Sequence, residues 1–103
     1  MSQKIIEVQL TTLSDADVLI FGLDKEQPYA YIVDLNSSSS QSELKIVFAK
    51  LLQVLLEEED ISLEFTIAPD YKKGLYKDVC KEYIDDLNRE LTQVKVNISR
   101  ELN

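Results

Sequence analysis

Between Tyr29 and Leu75 the chain changes character in an order that few folds accommodate. YAYIVDL reads as a strand and Asn36–Ser42 as a polar, serine-rich loop. The apolar stretch that follows reads as a helix to about Glu58, and Glu57–Asp60 is an acidic turn. Ile61–Ala68 (ISLEFTIA) alternates as a strand, and a second helix opens between Asp70 and Leu75. Ser40 and Glu43 fit a capping box, the serine closing the helix start and the glutamate reaching back to it. Glu43 also suits the positive end of the helix dipole. The apolar side chains of the first helix cover well over half of its circumference, interrupted only by Lys45, Lys50, Gln53 and Glu57. A helix that apolar must touch more than a sheet. It needs the second helix, or a partner chain, on its flank.

The remainder frames this core. Lys4–Thr12 places Ile6, Val8 and Leu10 on one face of a half-exposed strand. After a turn at Leu13–Asp17, Val18–Leu23 reads as a buried strand, and Asp24–Pro28 as a hairpin loop leading into Tyr29–Leu35. Three strands so close in sequence favour antiparallel pairing. The second helix continues to about Leu91, with Leu75, Tyr76, Val79, Cys80, Tyr83, Ile84, Leu87 and Leu91 on its apolar side, and Val94–Ser99 reads as a last strand. The expected architecture is α/β (α+β): one domain over residues 1–103, order β-β-β-α-β-α-β. Alternation of strands with helices implies parallel pairing through right-handed crossovers, hence a mixed five-stranded sheet carrying two helices.

Composition narrows the chemistry. A chain of 103 residues with 45% hydrophobic and 29% charged residues has enough apolar side chains for one core without staples. It has no histidine, which removes His–Cys zinc sites and His-activated nucleophiles. Its two glycines, Gly22 and Gly74, make no phosphate-cradling loop. The single Cys80 excludes an internal disulfide, lies on the apolar side of a helix and fits a reduced, cytoplasmic setting. There is no apolar run of membrane-spanning length and no signal-peptide pattern. A net charge of −8 opposes attraction to nucleic acid and suits basic partners.

The segment also resembles the ribonuclease H-like superfamily. Three antiparallel strands followed by helix-strand-helix-strand are similar to that fold. Asn36–Leu44 (NSSSSQSEL) looks like the polar loop and helix start where those enzymes place a catalytic glutamate, here Glu43. Phe65–Leu75 (FTIAPDYKKGL) looks like the strand end and helix that follow. The resemblance implies metal-assisted phosphodiester hydrolysis with Mg or Mn held by clustered carboxylates. Its metal set would be Glu7, Glu43 and Asp70. This chain departs from the pattern in two places. The first strand offers Glu7 where an aspartate is expected, and Ile67 occupies the place of the aspartate that ends the fourth strand. The terminal helix that often brings a further carboxylate is missing. The resemblance therefore implies a degenerate scaffold without catalysis.

One basic cluster stands out: Lys73, Lys77 and Lys81 recur every fourth residue along one edge of the second helix, with Lys72, Tyr71 and Tyr76 nearby. It is a candidate patch for an acidic partner. The absence of arginine there argues against phosphate recognition. The reading that follows is a small acidic, non-enzymatic interaction protein: an adaptor, inhibitor or immunity-like module, or a homodimer. It has no catalytic residue, no cofactor and no membrane partner. A metal-dependent nuclease is one alternative. An acidic nucleic-acid mimic that occupies a basic cleft is the other.

Overall fold

The structure is a computed structural model, and it describes residues 3–23, 31–57, 60–71 and 74–102. Strands β1 (Gln3–Leu13), β2 (Ala16–Phe21) and β3 (Ile32–Asp34) precede helix α1 (Ser40–Glu57), strand β4 (Asp60–Ile67) and helix α2 (Lys77–Leu102). The class is α+β: a mixed four-stranded sheet in the order β3-β2-β1-β4, with two helices on one face. β1 and β2 form an antiparallel hairpin in which Leu13 pairs with Ala16. The intervening Ser14 and Asp15 both have positive φ, 49° and 68°. That is the backbone of a two-residue turn whose twist matches the strands it joins, and aspartate tolerates it better than most residues. β2 pairs antiparallel with β3, and β4 returns parallel to β1 after α1 has crossed the sheet.

Alternation along each strand selects the core. Ile6, Val8 and Leu10 on β1, Leu19 and Phe21 on β2, Val33 on β3, and Ile61 and Leu63 on β4 all point under the helices. α1 meets them with Val47, Leu51 and Leu55, and α2 with Cys80, Ile84, Leu87 and Leu91. Spacings of three and four residues put each set on one helical stripe.

The fifth strand expected over Val94–Ser99 is not formed, because those residues are the last turns of α2. The stripe Ile84, Leu87, Leu91 continues through Val94 and Ile98 at the same three-four spacing, and no Gly or Pro separates Leu91 from Val94. Val94 packs partly buried against the core. Val94, Val96 and Ile98 alternate as a strand would, but Val94 and Ile98 also stand four apart on the helical stripe, leaving Val96 39% exposed on the far side, and β-branched residues cost a helix only a few tenths of a kcal/mol each. At 26 residues α2 is about 39 Å long. The molecule measures 49 × 26 × 23 Å along its principal axes. At its other end α2 begins at Lys77, later than expected, so Leu75 sits exposed in the preceding turn. β3 is shorter than its sequence pattern. Tyr29, Ala30 and the expected hairpin loop Asp24–Pro28 lie outside the described residues.

β4 is an edge strand, and α2 guards part of it. The Asn88 side chain accepts from the Leu63 N–H at 2.8 Å and donates to the Leu63 carbonyl at 3.0 Å. Its amide thus takes the place of a strand residue on the open side of β4. Asn88→Ala removes both hydrogen bonds and is expected to cost about 1–3 kcal/mol. The check is the urea midpoint, with faster amide exchange at Leu63.

Candidate functional site

The carboxyl ends of β1, β3 and β4, the start of β2 and the amino-terminal ends of both helices meet at one end of the molecule. In sheets with parallel strands this is the end where crossovers leave a crevice. Its polar residues are tied into the backbone. Asn36 accepts from the Asp17 N–H at 2.7 Å through Oδ1, and its side-chain amide donates to the Tyr76 hydroxyl at 3.4 Å. The Asp34 carboxylate accepts from the Asn36 N–H at 2.9 Å. Glu43 does not close a capping box on Ser40. Instead, its Oε2 accepts from the Asp34 N–H at 3.2 Å, and its Oε1 accepts from the Ser39 hydroxyl at 3.4 Å. The first helical hydrogen bond runs from the Glu43 N–H to the Ser39 carbonyl. Ser39 is therefore the cap, and Glu43 lies one residue beyond the box position. It fastens the helix start to the end of β3.

Asp17 and Tyr71 lie beneath this network, 2% and 4% exposed. The Asp17 Oδ1 and the Tyr71 hydroxyl are buried without hydrogen-bond partners. Burial raises the pKa of the Tyr71 hydroxyl, and the charge of the nearby Asp17 carboxylate raises it further. Asp17 gave no sequence signal, because an aspartate at the end of a turn is ordinary. Tyr71, expected beside the lysines, is turned into the core.

The three carboxylates expected to bind metal stand apart. Glu7 is exposed on the face of β1 away from the helices, opposite Glu64 of β4. Glu43 is half-buried on the helix side, so the sheet lies between the two. Asp70 is exposed in the turn after β4. Among the described residues no group of three or more Cys, Asp or Glu side chains is placed to hold a metal ion. Mg or Mn therefore finds no matching donor set in these three residues. Of the lysines, Lys77 is half-buried at the start of α2 and Lys81 is exposed one turn later. Lys73 lies outside the described residues.

Among the described residues, a groove between the helices opens at this end. α1 and α2 touch only slightly. Between their first halves is a cavity of about 300 Å³ lined by Leu19, Leu35, Leu44, Tyr76, Val79, Cys80 and Tyr83, with Ser40 and Gln41 at its mouth. A second hollow of about 260 Å³ shares Gln41, Leu44 and Tyr83 and continues along Phe48 and Leu87 to Lys45, Asp86 and Glu90. The groove is apolar at the bottom and charged at its far rim. Burial alone pushes the Cys80 thiol up to about 11, and burial and then Glu90 raise Tyr83. Such a thiol stays protonated and is a poor nucleophile.

Comparison with protein-family models, with curated proteins and with solved structures gives no match.

Two outcomes follow. Glu43→Ala should cost about 1 kcal/mol by thermal or urea unfolding, with Glu43→Gln retaining most of the stability. The raised thiol and phenols set an alkaline limit. A group whose pKa is higher when folded contributes stability that is full below its unfolded value and lost as pH rises through its folded value. For Cys80 that window runs from 9.0 to about 11, and Tyr71 and Tyr83, raised from 10.0, act in the same direction. The Cys80 part is on the order of 2–3 kcal/mol. Urea midpoints should fall across this window, and less steeply in Cys80→Ala.

Proposed function

We propose that this chain is a small, acidic, non-enzymatic interaction protein that presents the α1/α2 groove to a protein partner. The supporting observation is the uncovered apolar surface of α1. Only Val47, Leu51 and Leu55 of that helix are buried. Leu44 and Phe48 are half-buried along the groove. On α2, Val79 lines the same groove and is 63% exposed. Apolar residues flanking a cavity, with Lys45, Asp86 and Glu90 at the rim, form the core-and-rim pattern of a protein interface.

The partner is another protein or a second copy of this chain. Lys77 and Lys81, and Lys73 beyond the described residues, would meet an acidic surface. The setting is the reduced cytoplasm, which suits one buried cysteine. No helix among the described residues is long and apolar enough to cross a membrane. The scaffold is a degenerate relative of the ribonuclease H-like superfamily, a reading supported by the order β-β-β-α-β-α. The metal-dependent nuclease gains no support from the separated positions of Glu7, Glu43 and Asp70. The nucleic-acid mimic rests on the net charge of −8 alone.

Val79→Glu puts a charge into the groove at an exposed position, so its stability should stay within about 0.5 kcal/mol of the parent. It should weaken self-association or partner binding at least about tenfold. Light scattering reads the first, and cross-linking mapped to Leu44–Phe48 and Tyr76–Tyr83 reads the second. A monomer without cross-links in those segments would remove the proposal's support.

A further inference from the structure

The open edge of β4 suggests a second recognition surface. The Ala68 N–H bonds the Leu10 carbonyl at 2.9 Å. In a parallel ladder, Thr66 and Glu64 then also face β1, while Phe65 and Ile67 turn their N–H and C=O groups outward, as Leu63 does. The outward groups of Leu63 are taken by Asn88. Within the described residues, those of Phe65 and Ile67 have no partner. Asn88 thus shows that this edge accepts an amide in ladder geometry, and its reach ends after one residue.

The side chains along the open stretch specify a partner. Glu64 lies beside Glu7 across the β1–β4 pair, and both are exposed on the helix-free face. Like charges on adjacent strands repel each other, and a cation in line with them on a further strand would relieve this. On the opposite face Ile67 is 39% exposed and Phe65 half-buried. Lys81 and Asp85, exposed on the line of α2 that carries Asn88, are of opposite sign. The groove lies on the other side of α2.

We propose that the Phe65–Ile67 edge binds an extended segment of a basic protein partner, which adds to the sheet as a fifth strand. The segment bonds the free N–H and C=O groups of Phe65 and Ile67, sets a Lys or Arg beside Glu64 and rests an apolar side chain on Ile67. This mode takes its affinity from the main chain and its specificity from alternate side chains. A second copy fits less well, because joining two chains of charge −8 here would place two Glu7–Glu64 pairs in one sheet. The inference rests on the interaction reading but on a surface distinct from the groove.

The test titrates the isotope-labelled full chain with three short peptides: one alternating Lys and Val, its Glu-for-Lys counterpart, and the Lys peptide N-methylated on alternate amides. The Lys peptide should shift the Phe65 and Ile67 amide signals and slow their exchange. The other two should bind at least about tenfold more weakly. Ile67→Pro deletes an outward N–H at an edge position where proline is tolerated, and should lose binding with an unchanged circular dichroism spectrum. Should that variant unfold, Glu64→Lys carries the test by reversing the preference toward the Glu peptide. Binding that ignores N-methylation, peptide shifts confined to the groove, or self-association through Phe65–Ile67 would each overturn the proposal. Peptide affinity unchanged in Val79→Glu keeps this result separate from the fate of the groove.

Discussion

The parallel pairing of β1 with β4 is the interaction on which the rest depends. Among the described strands, β1 alone has a partner on each side whose pairings differ in direction, antiparallel to β2 and parallel to β4. Its Ile6, Val8 and Leu10 are completely buried. A parallel neighbour cannot be reached by a tight turn, so the chain must cross the sheet between β3 and β4. α1 makes that crossing, and its apolar stripe covers the strands it passes. α2 then comes back from the end of β4 and can cover only the other flank. With a crossing helix and a returning helix above four strands, a hollow remains between their first halves. The groove is the space left between them.

The same pairing explains why the expected carboxylate site is not assembled. Strand alternation that sends Ile6 and Val8 into the core sends Glu7 to the opposite face. Glu43, by contrast, sits at the start of a helix on the core side and is engaged by the Asp34 N–H. A one-residue offset in β1 would have exchanged the faces, but it would also have exposed the apolar set, at a cost far beyond what a metal site could offset. Burial of three aliphatic side chains thus decided the position of one acid.

The legibility of the chain differs between its two ends. β1 and β4 were readable from their alternation, β2 as a short apolar run between turns, and α1 as a long apolar stretch behind a serine-rich loop. Val94–Ser99 was not readable, since Val94 and Ile98 fit a helix stripe as well as the alternation they make with Val96, and only the packing of Val94 against the core selects the helix. The apolar excess of α1 was visible as a demand for further contact. Its location as a groove was not. Asp17, Asn88 and Glu64 had no local signal. Each acquires its role from a neighbour distant in sequence: Tyr71, the Leu63 backbone and Glu7.

Residue order alone specified the types of β1, β2, α1, β4 and the first turns of α2, the α+β class, the cysteine on an apolar helix side and the absence of histidine. These are consequences of local periodicity and composition, which act over a few residues. Tertiary structure specified the four-stranded sheet, the face on which Glu7 lies, the bond from Glu43 to Asp34, the groove and the open edge of β4. Those depend on which strand pairs with which, and on how far α2 runs before it ends. Both are set by the burial of side chains separated by tens of residues, which no local pattern encodes.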